Sequence, residues 1–140
     1  MKKIFIASDH AGFKLKTQLI PLIEKKFKLN DLGPVNDNSV DYPDLALKLS
    51  KKISKSKNLF GILICGSGMG MAIAANKVKN VRAALCYSTK NTELSRLHNN
   101  ANIITLGSRL TSKKKAIQLI NLFLSTKFEG GRHLRRIKKI

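Results

Sequence analysis

A glycine-rich segment, Cys65 to Gly70, is the strongest candidate for chemistry in this sequence. Three of its residues are glycines at alternate positions, and glycine lets backbone amides approach a ligand closely or adopt positive φ. Free amides that open a helix attract negative charge, so the segment could hold a phosphate or a developing oxyanion. A tight turn that needs only small residues is the plainer alternative. The segment is neither a P-loop nor a full dinucleotide-binding fingerprint, which would need glycine or alanine in place of Met71.

Cys65 directly precedes those amides, and this position distinguishes it from the other cysteine, Cys86. A thiol near a positive helix end is stabilised as the thiolate, which can act as a nucleophile or as a base. Neither cysteine has a C-x-x-C partner, so the sequence does not indicate a zinc or thioredoxin-like site. We interpret Cys86 as a small buried apolar side chain, and a disulfide is disfavoured in a reducing cytosol.

Three other groups of polar residues could take part in a reaction. Asp9 and His10 follow the first apolar run and could transfer protons or bind phosphate, although Asp9 could instead cap the next helix. His98 ends a predicted helix, where an interaction with the helix dipole is the alternative role. Arg132 and Arg136 are one helical turn apart and could clamp an anion, or could simply face solvent.

The elements that must position these residues alternate between short β-branched runs and longer amphipathic segments. This pattern predicts an α/β fold, a Rossmann-like three-layer sandwich with a five-stranded parallel sheet and a C-terminal helical tail. We expect Asp44 and Ser112 to cap two helices, and Pro21 to kink or split the first helix. The other predicted helices are 13–26, 69–77, 89–98 and 132–140, and the strands are 3–8, 27–32, 59–65, 82–86 and 103–106.

In such sheets ligands bind beyond the carboxyl ends of the strands. That rule selects the segments that follow predicted strands as parts of one site. They are Ser8–His10, Cys65–Gly70, Cys86–Ser88 and Gly107–Arg109.

The composition is that of a single soluble domain, residues 1–140, whose last part, 126–140, is a basic tail. The net charge of +19 comes from 27 basic and eight acidic residues, 21 of the basic ones being lysines. General lysine enrichment explains this charge, and a nucleic-acid-binding protein is the alternative. Against that alternative, an aromatic content of 6% gives no evident stacking platform, and no nucleic-acid-binding signature occurs.

The apolar start of the chain is too short for a signal peptide and is interrupted at Asp9. No apolar run approaches the length of a membrane span. We therefore expect a cytoplasmic protein without membrane contact.

Seven short motifs extend this interpretation over nearly the whole chain. They are Ser8–Phe13, Asp41–Asp44, Gly61–Gly70, Ala74–Lys77, Leu94–Asn99, Gly107–Arg109 and Glu129–His133. In these motifs the chain resembles the ribose-5-phosphate isomerase B family, which also contains galactose-6-phosphate and allose-6-phosphate isomerases.

The resemblance implies that Cys65 is the base that moves a proton between C1 and C2 of the sugar. Ser67, where many relatives have threonine, would assist proton exchange between O1 and O2. His98, helped by Asp9, would open the sugar ring. The residues implied in substrate binding are Asp9, His10, Tyr42, Gly66, Ser67, Gly68, Met69, Gly70, Asn99, Arg109, Arg132 and Arg136, with His10 and the three arginines on the phosphate.

The resemblance also implies a homodimer whose active sites are shared between subunits, with His98 and Asn99 serving the partner's Cys65, and the dimers could pair into tetramers. The basic tail would contact the partner. No metal, organic cofactor or nucleic acid is expected. The expected activity is interconversion of D-ribose 5-phosphate and D-ribulose 5-phosphate through an enediolate, a step of the pentose phosphate pathway. A hexose 6-phosphate isomerase is one alternative. An inactive sugar-phosphate sensor is another, but the presence of Cys65, His98 and the arginines argues against it.

Overall fold

The structure is a computed structural model that describes residues 2–140. It has five strands and six helices, in the order β1 (Lys3–Ser8), α1 (Phe13–Glu24), β2 (Lys28–Asp31), α2 (Tyr42–Ile53), β3 (Leu59–Cys65), α3 (Met69–Ala75), β4 (Ala83–Leu85), α4 (Thr89–Leu97), β5 (Ile103–Gly107), α5 (Lys113–Ser125) and α6 (Arg132–Ile137). Among residues 2–140, no helix has the length and apolar character that crossing a membrane requires.

All five strands pair in parallel, in the order β2-β1-β3-β5-β4. Successive residues of a strand point to opposite faces, so the continuous apolar run of β3 supplies both cores. Ile62 and Ile64 pack with α1 and α5, whereas Leu63 and Cys65 pack with α2 and α3. Each fully buried isoleucine contributes about 1.5–3 kcal/mol. The predicted three-layer α/β sandwich is thereby confirmed.

The predicted cap at Asp44 is wrong. Helix α2 begins at Tyr42 with Asp41 as its N-cap residue, and Asp44 lies within the first turn. The cause is Pro43, whose fixed φ and missing N–H suit the first turn of a helix, where that N–H would have no partner. Ser112, by contrast, caps α5 as predicted, because its hydroxyl accepts a hydrogen bond from Lys115 N.

Pro21 does not split the first helix. Helix α1 continues through it and ends at Glu24 instead of at residue 26. Leu19 and Ile23, on either side of the proline, are both buried in the core and hold the last turn in place. The edge strands are also shorter than predicted, with β4 confined to Ala83–Leu85 and β2 to Lys28–Asp31.

The strand order points to the carboxyl ends of the central strands as the place where a ligand would bind. The chain passes from β1 to β2 on one side and then to β3 on the other, so the direction of winding reverses between β1 and β3. Ligands bind at such a switch point, outside the carboxyl ends of the strands. The segments after β1, β3 and β5 meet there, because these three strands are neighbours.

Candidate active site

The loop between β3 and α3 needs its glycines for both conformation and space. Gly68 adopts φ +78°, and a Cβ there would lie 2.6 Å from Leu85 Cδ1. This backbone turns two amides toward side chains of the same loop. Gly68 N donates a hydrogen bond to Cys65 Sγ over 3.1 Å, and Met69 N donates to Ser67 Oγ over 3.3 Å. The sulfur of Cys65, which is 5% exposed, therefore accepts a backbone hydrogen bond at the end of β3.

The end of β5 holds this loop in place. Ser108 N donates to the Cys65 carbonyl over 2.8 Å, and Arg109 N donates to the Gly66 carbonyl over 3.0 Å. From within β5, Thr105 Oγ1 donates to the Gly68 carbonyl over 2.8 Å. Three hydrogen bonds thus fix the loop carbonyls before any ligand arrives, which is the preorganisation that transition-state stabilisation requires.

Asp9 closes the turn between β1 and α1. Its Oδ1 accepts a hydrogen bond from Gly12 N over 3.0 Å, and its carboxylate is buried. The turn passes directly against β3, since a Cβ on Gly12 would lie 2.5 Å from the Ile64 carbonyl oxygen. The alternative that Asp9 caps this helix is wrong, because Gly12 is the N-cap residue of α1 and no side chain of the described residues caps the helix.

His10 extends from the same turn and is exposed. Val40 N donates to its Nδ1 over 3.3 Å. A neutral imidazole that accepts at Nδ1 carries its proton on Nε2, which makes that nitrogen a donor. His10 can thus offer an N–H to an anion at the mouth of the site.

Two other predicted residues rest directly on the glycines of the loop. A Cβ on Gly66 would lie 2.6 Å from the Arg109 guanidinium, and a Cβ on Gly70 would lie 2.6 Å from the Tyr42 ring. Both side chains are exposed. A side chain at position 70 would have to displace the Tyr42 ring, whereas one at position 66 would meet only the flexible end of Arg109, which can move aside.

A second cluster forms around His98, the C-cap residue of α4. Its Nε2 lies 3.8 Å from Glu129 Oε2, and the same oxygen lies 3.9 Å from His133 Nε2. The two imidazole rings stack with centroids 4.1 Å apart and planes 15° from parallel. Burial, and after it the neighbouring His98, lower the pKa of His133, while Glu129 acts in the opposite direction.

Arg96 fixes the positions of the residues around this cluster. Its buried guanidinium donates to the Thr126 carbonyl over 3.1 Å and to Asn100 Oδ1 over 2.9 Å, so it ties the tail to the loop after α4. Glu129 N then donates to the Leu97 carbonyl over 3.1 Å. Burial, and after it the charge of Arg82, lower the pKa of Arg96, whose N–H groups donate to carbonyl and amide oxygens.

Glu129 and His133 are the site residues that reasoning from the sequence missed. Both belong to a motif shared with the resembled family, but no pattern along the chain indicates that they contact His98, which lies 31 positions before Glu129. The remaining predicted members of this region are Asn99, Arg132 and Arg136, and all three are exposed.

The two groups of predicted site residues lie at opposite ends of the sheet. Arg96, just before His98, stacks 5.1 Å from the ring of Phe60, the second residue of β3. Cys65 is the last residue of that strand, which places it about 16 Å from Phe60 at the rise of an extended chain. Within residues 2–140, no hydrogen bond or ion pair joins the two groups. One chain therefore assembles the Cys65 group and the His98 group but does not bring them together.

One surface groove lies beside Arg109 of the Cys65 group. A groove of about 350 Å³ is bordered by Ser108, Arg109, Lys14 and Lys113 and is strongly basic. A slightly larger one, about 370 Å³, lies between α4 and α5 and contains none of the predicted residues. The basic groove, beside Arg109, is the one relevant to an anionic ligand.

Comparisons with known proteins identify the family and the fold of the chain. A family model described as Ribose/Galactose Isomerase matches residues 4–140. The ribose-5-phosphate isomerase B of Escherichia coli is 37% identical over 141 residues, which cover 100% of this chain and 95% of that protein. The crystal structure of the Thermotoga maritima ribose 5-phosphate isomerase superposes with a TM-score of 0.94 at 48% identity, covering 99% of this chain and 96% of that one.

A further solved structure contains a ligand. Ribose-5-phosphate isomerase B from Mycoplasma genitalium, with bound ribulose 5-phosphate, is 48% identical and superposes with a TM-score of 0.92. The match covers 98% of this chain and 92% of that one. The family resemblance seen in the motifs is confirmed, and this chain belongs to the ribose/galactose isomerase family of sugar-phosphate isomerases.

Proposed function

We propose that this chain interconverts ribose 5-phosphate and ribulose 5-phosphate through an enediolate, with Cys65 as the base. The observation that carries the proposal is the hydrogen bond from Gly68 N to Cys65 Sγ, 3.1 Å long, in a loop fixed by β5. Aldose–ketose exchange needs one base, donors for the developing oxyanion and a phosphate anchor. Relatives named for ribose 5-phosphate, one of them with bound ribulose 5-phosphate, support the choice of substrate.

In the forward direction, Cys65 Sγ removes the proton from C2 of the open-chain aldose. The C2–H bond breaks, the negative charge moves to O1, and the same proton returns to C1 to complete the ketose. O1 must gain a proton while O2 loses one. Ser67 relays this proton from O2 to O1. Its oxygen already accepts from Met69 N, which leaves its own proton for a substrate oxygen.

The phosphate anchor supplies binding energy far from the reacting carbons and orients them. Arg109 and His10 provide a guanidinium and an imidazole beside the loop. Arg132 and Arg136, spaced one turn apart on α6, provide a second pair of cations. Guanidinium groups bind phosphate oxygens bidentately, so these arginines suit a terminal phosphate.

We further propose that the active site is completed by a second copy of the chain. His98, Asn99, Arg132 and Arg136 of one subunit would join the Cys65 loop of its partner, because they lie at the opposite end of the sheet in their own chain. Apolar side chains beside the loop fit such a contact, since Met69, Ile73 and Tyr87 are 52%, 68% and 66% exposed. A homodimer of this kind contains two equivalent sites.

The preferred sugar can be tested with three substrates. We expect kcat/KM for ribose 5-phosphate to exceed the values for allose 6-phosphate and galactose 6-phosphate by at least about tenfold. An extra carbon shifts C1 and C2 by more than 1 Å relative to a fixed phosphate, and a misplacement of that size costs about 100-fold. A preference for either hexose would make this chain a hexose 6-phosphate isomerase, and absence of turnover with all three would favour a sensor.

Ring opening gives a separate prediction for His98. We expect His98→Asn to lower kcat/KM for ribose 5-phosphate by about 100-fold, because general acid–base help to the ring oxygen is lost. The matched substrate is 4-deoxyribose 5-phosphate, which has no O4 and cannot form a furanose. Its kcat/KM should fall less than fivefold in the same variant, within the context dependence of such measurements. Equal losses on both substrates would contradict a ring-opening role.

A further inference from the structure

The His98 cluster has a feature that sugar chemistry does not explain. His133 Nε2 is buried and finds no hydrogen-bond partner within residues 2–140. Its side chain is 8% exposed, and the nearest carboxylate oxygen, Glu129 Oε2, lies 3.9 Å away, which is too far for a hydrogen bond. Buried polar atoms are nearly always partnered, so an orphaned one points to a missing ion or water.

The atoms around this orphaned nitrogen form a set of metal ligands. His98, Glu129 and His133 each offer one ligand atom, and these atoms lie within 4.8 Å of one another. Two imidazoles and one carboxylate are a ligand set that zinc accepts, with a fourth position left for water. Ligand atoms around tetrahedral zinc lie about 3.4 Å apart, given bond lengths near 2.1 Å. The two separations from Glu129, 3.8 and 3.9 Å, would have to shorten by about half an ångström, and the three ligand atoms lie within 4.8 Å of one another. Because the two imidazole rings are stacked, the half-exposed His98 must also rotate before both ring nitrogens can point at one ion.

The charges around the cluster bear directly on whether it can hold a cation. Glu129 provides the negative charge. Arg132 and Arg136 face His133 as cations and oppose a metal electrostatically. This opposition limits affinity, but both arginines are exposed and screened by solvent.

We propose that His98, Glu129 and His133 form a binding site for zinc or a similar divalent transition-metal ion. The occupied site is inhibitory, since the metal takes the imidazole nitrogen of His98. Binding itself depends only on the three side chains, whereas the inhibitory effect rests on the function proposed above for His98.

The experiment uses the full-length, untagged protein carrying Cys65→Ser, so that the reactive thiol does not compete for metal. Zn²⁺ is titrated calorimetrically, and Co²⁺ is titrated by its visible d–d absorption, which reports coordination by nitrogen and oxygen. We expect one ion per chain, with binding weakened by about 100-fold in His133→Ala. Glu129→Gln, a change at an exposed position, provides a second variant in case His133→Ala does not fold.

The chain supplies a matched control. It contains three histidines, and His10 is the one outside the cluster. His10→Asn should leave the Zn²⁺ affinity unchanged. The proposal is overturned if Zn²⁺ does not bind below millimolar concentration, if Glu129→Gln and His133→Ala bind as tightly as the parent, or if His10→Asn abolishes binding.

Inhibition by Zn²⁺ is measured separately with ribose 5-phosphate on the wild-type chain and on Glu129→Gln, because the Cys65 thiol of both proteins can also bind the metal. We expect wild-type activity to fall at the Zn²⁺ concentration that saturates the cluster and to return on chelation, whereas Glu129→Gln should need a higher concentration; equal inhibition of the two proteins would assign the effect to Cys65. Binding without inhibition would retain the metal site and contradict the role of His98. Turnover without any Zn²⁺ binding would contradict the metal site and leave the proposed function intact.

Discussion

Replacing Cys65 by alanine is expected to lower kcat for ribose 5-phosphate by about 10²- to 10⁴-fold, the usual contribution of a general base. This loss corresponds to about 3–5 kcal/mol of transition-state stabilisation. Binding of a phosphate-bearing inhibitor should persist, because the loop backbone is held by hydrogen bonds from Ser108 and Arg109 that do not involve the thiol. Steady-state kinetics and inhibitor titration on the same preparation measure both quantities.

Cys86 provides the matched control for this substitution. It is a buried cysteine like Cys65, at 1% exposure, and the interpretation of it as a core side chain is confirmed. Burial raises the pKa of the Cys86 thiol, so this residue stays neutral at pH 7. Cys86→Ala should keep the wild-type kcat and lose only about 1 kcal/mol of stability from the small cavity. A Cys65→Ala protein that retains more than a tenth of the wild-type kcat would exclude Cys65 as the base.

The Cys65 half of the site could be predicted from the sequence because its residues directly follow predicted strands. The apolar run of β3 predicts one of these strands, and a parallel sheet brings the carboxyl ends of neighbouring strands together. The strand pattern therefore predicts that Asp9, Cys65 and Arg109 lie in one region. The contact with the Tyr42 ring explains why position 70 is glycine.

The His98 half could not be predicted in the same way. His98, Glu129 and His133 meet because Arg96 ties the tail to the end of α4 through a buried guanidinium. No local pattern encodes that tertiary contact. The distance between the Cys65 group and the His98 group could not be predicted either. It depends on the direction of α4, which runs back toward the amino ends of the strands. Local errors, such as the helix start at Tyr42 instead of Asp44, arose where proline favoured an earlier turn.

The separation of the two halves leads to the second large effect, complementation between inactive variants. Cys65→Ala and His98→Asn should each be nearly inactive toward ribose 5-phosphate as pure proteins. In a mixed dimer, one site combines the intact Cys65 of one chain with the intact His98 of the other, while the second site lacks both. Random pairing of equal amounts makes half of the dimers mixed, so about a quarter of wild-type activity should return.

A second mixture with the same mutations serves as the control. Here the double variant, Cys65→Ala with His98→Asn, is paired with the wild-type chain. If each site takes residues from two chains, only wild-type homodimers are active, and about a quarter of full activity is expected. If each site lies within one chain, every wild-type chain stays active and about half of full activity is expected.

The decisive measurement is the rate of ribulose 5-phosphate formation by the Cys65→Ala and His98→Asn proteins after they are mixed in equal amounts, unfolded together and refolded. Activity of this mixture requires Cys65 and His98 to act on ribose 5-phosphate from different chains. We predict recovery of about a quarter of the wild-type rate, far above that of either protein refolded alone. A mixture no more active than its two components, with wild-type protein regaining activity under the same refolding conditions, would contradict a site shared between two subunits.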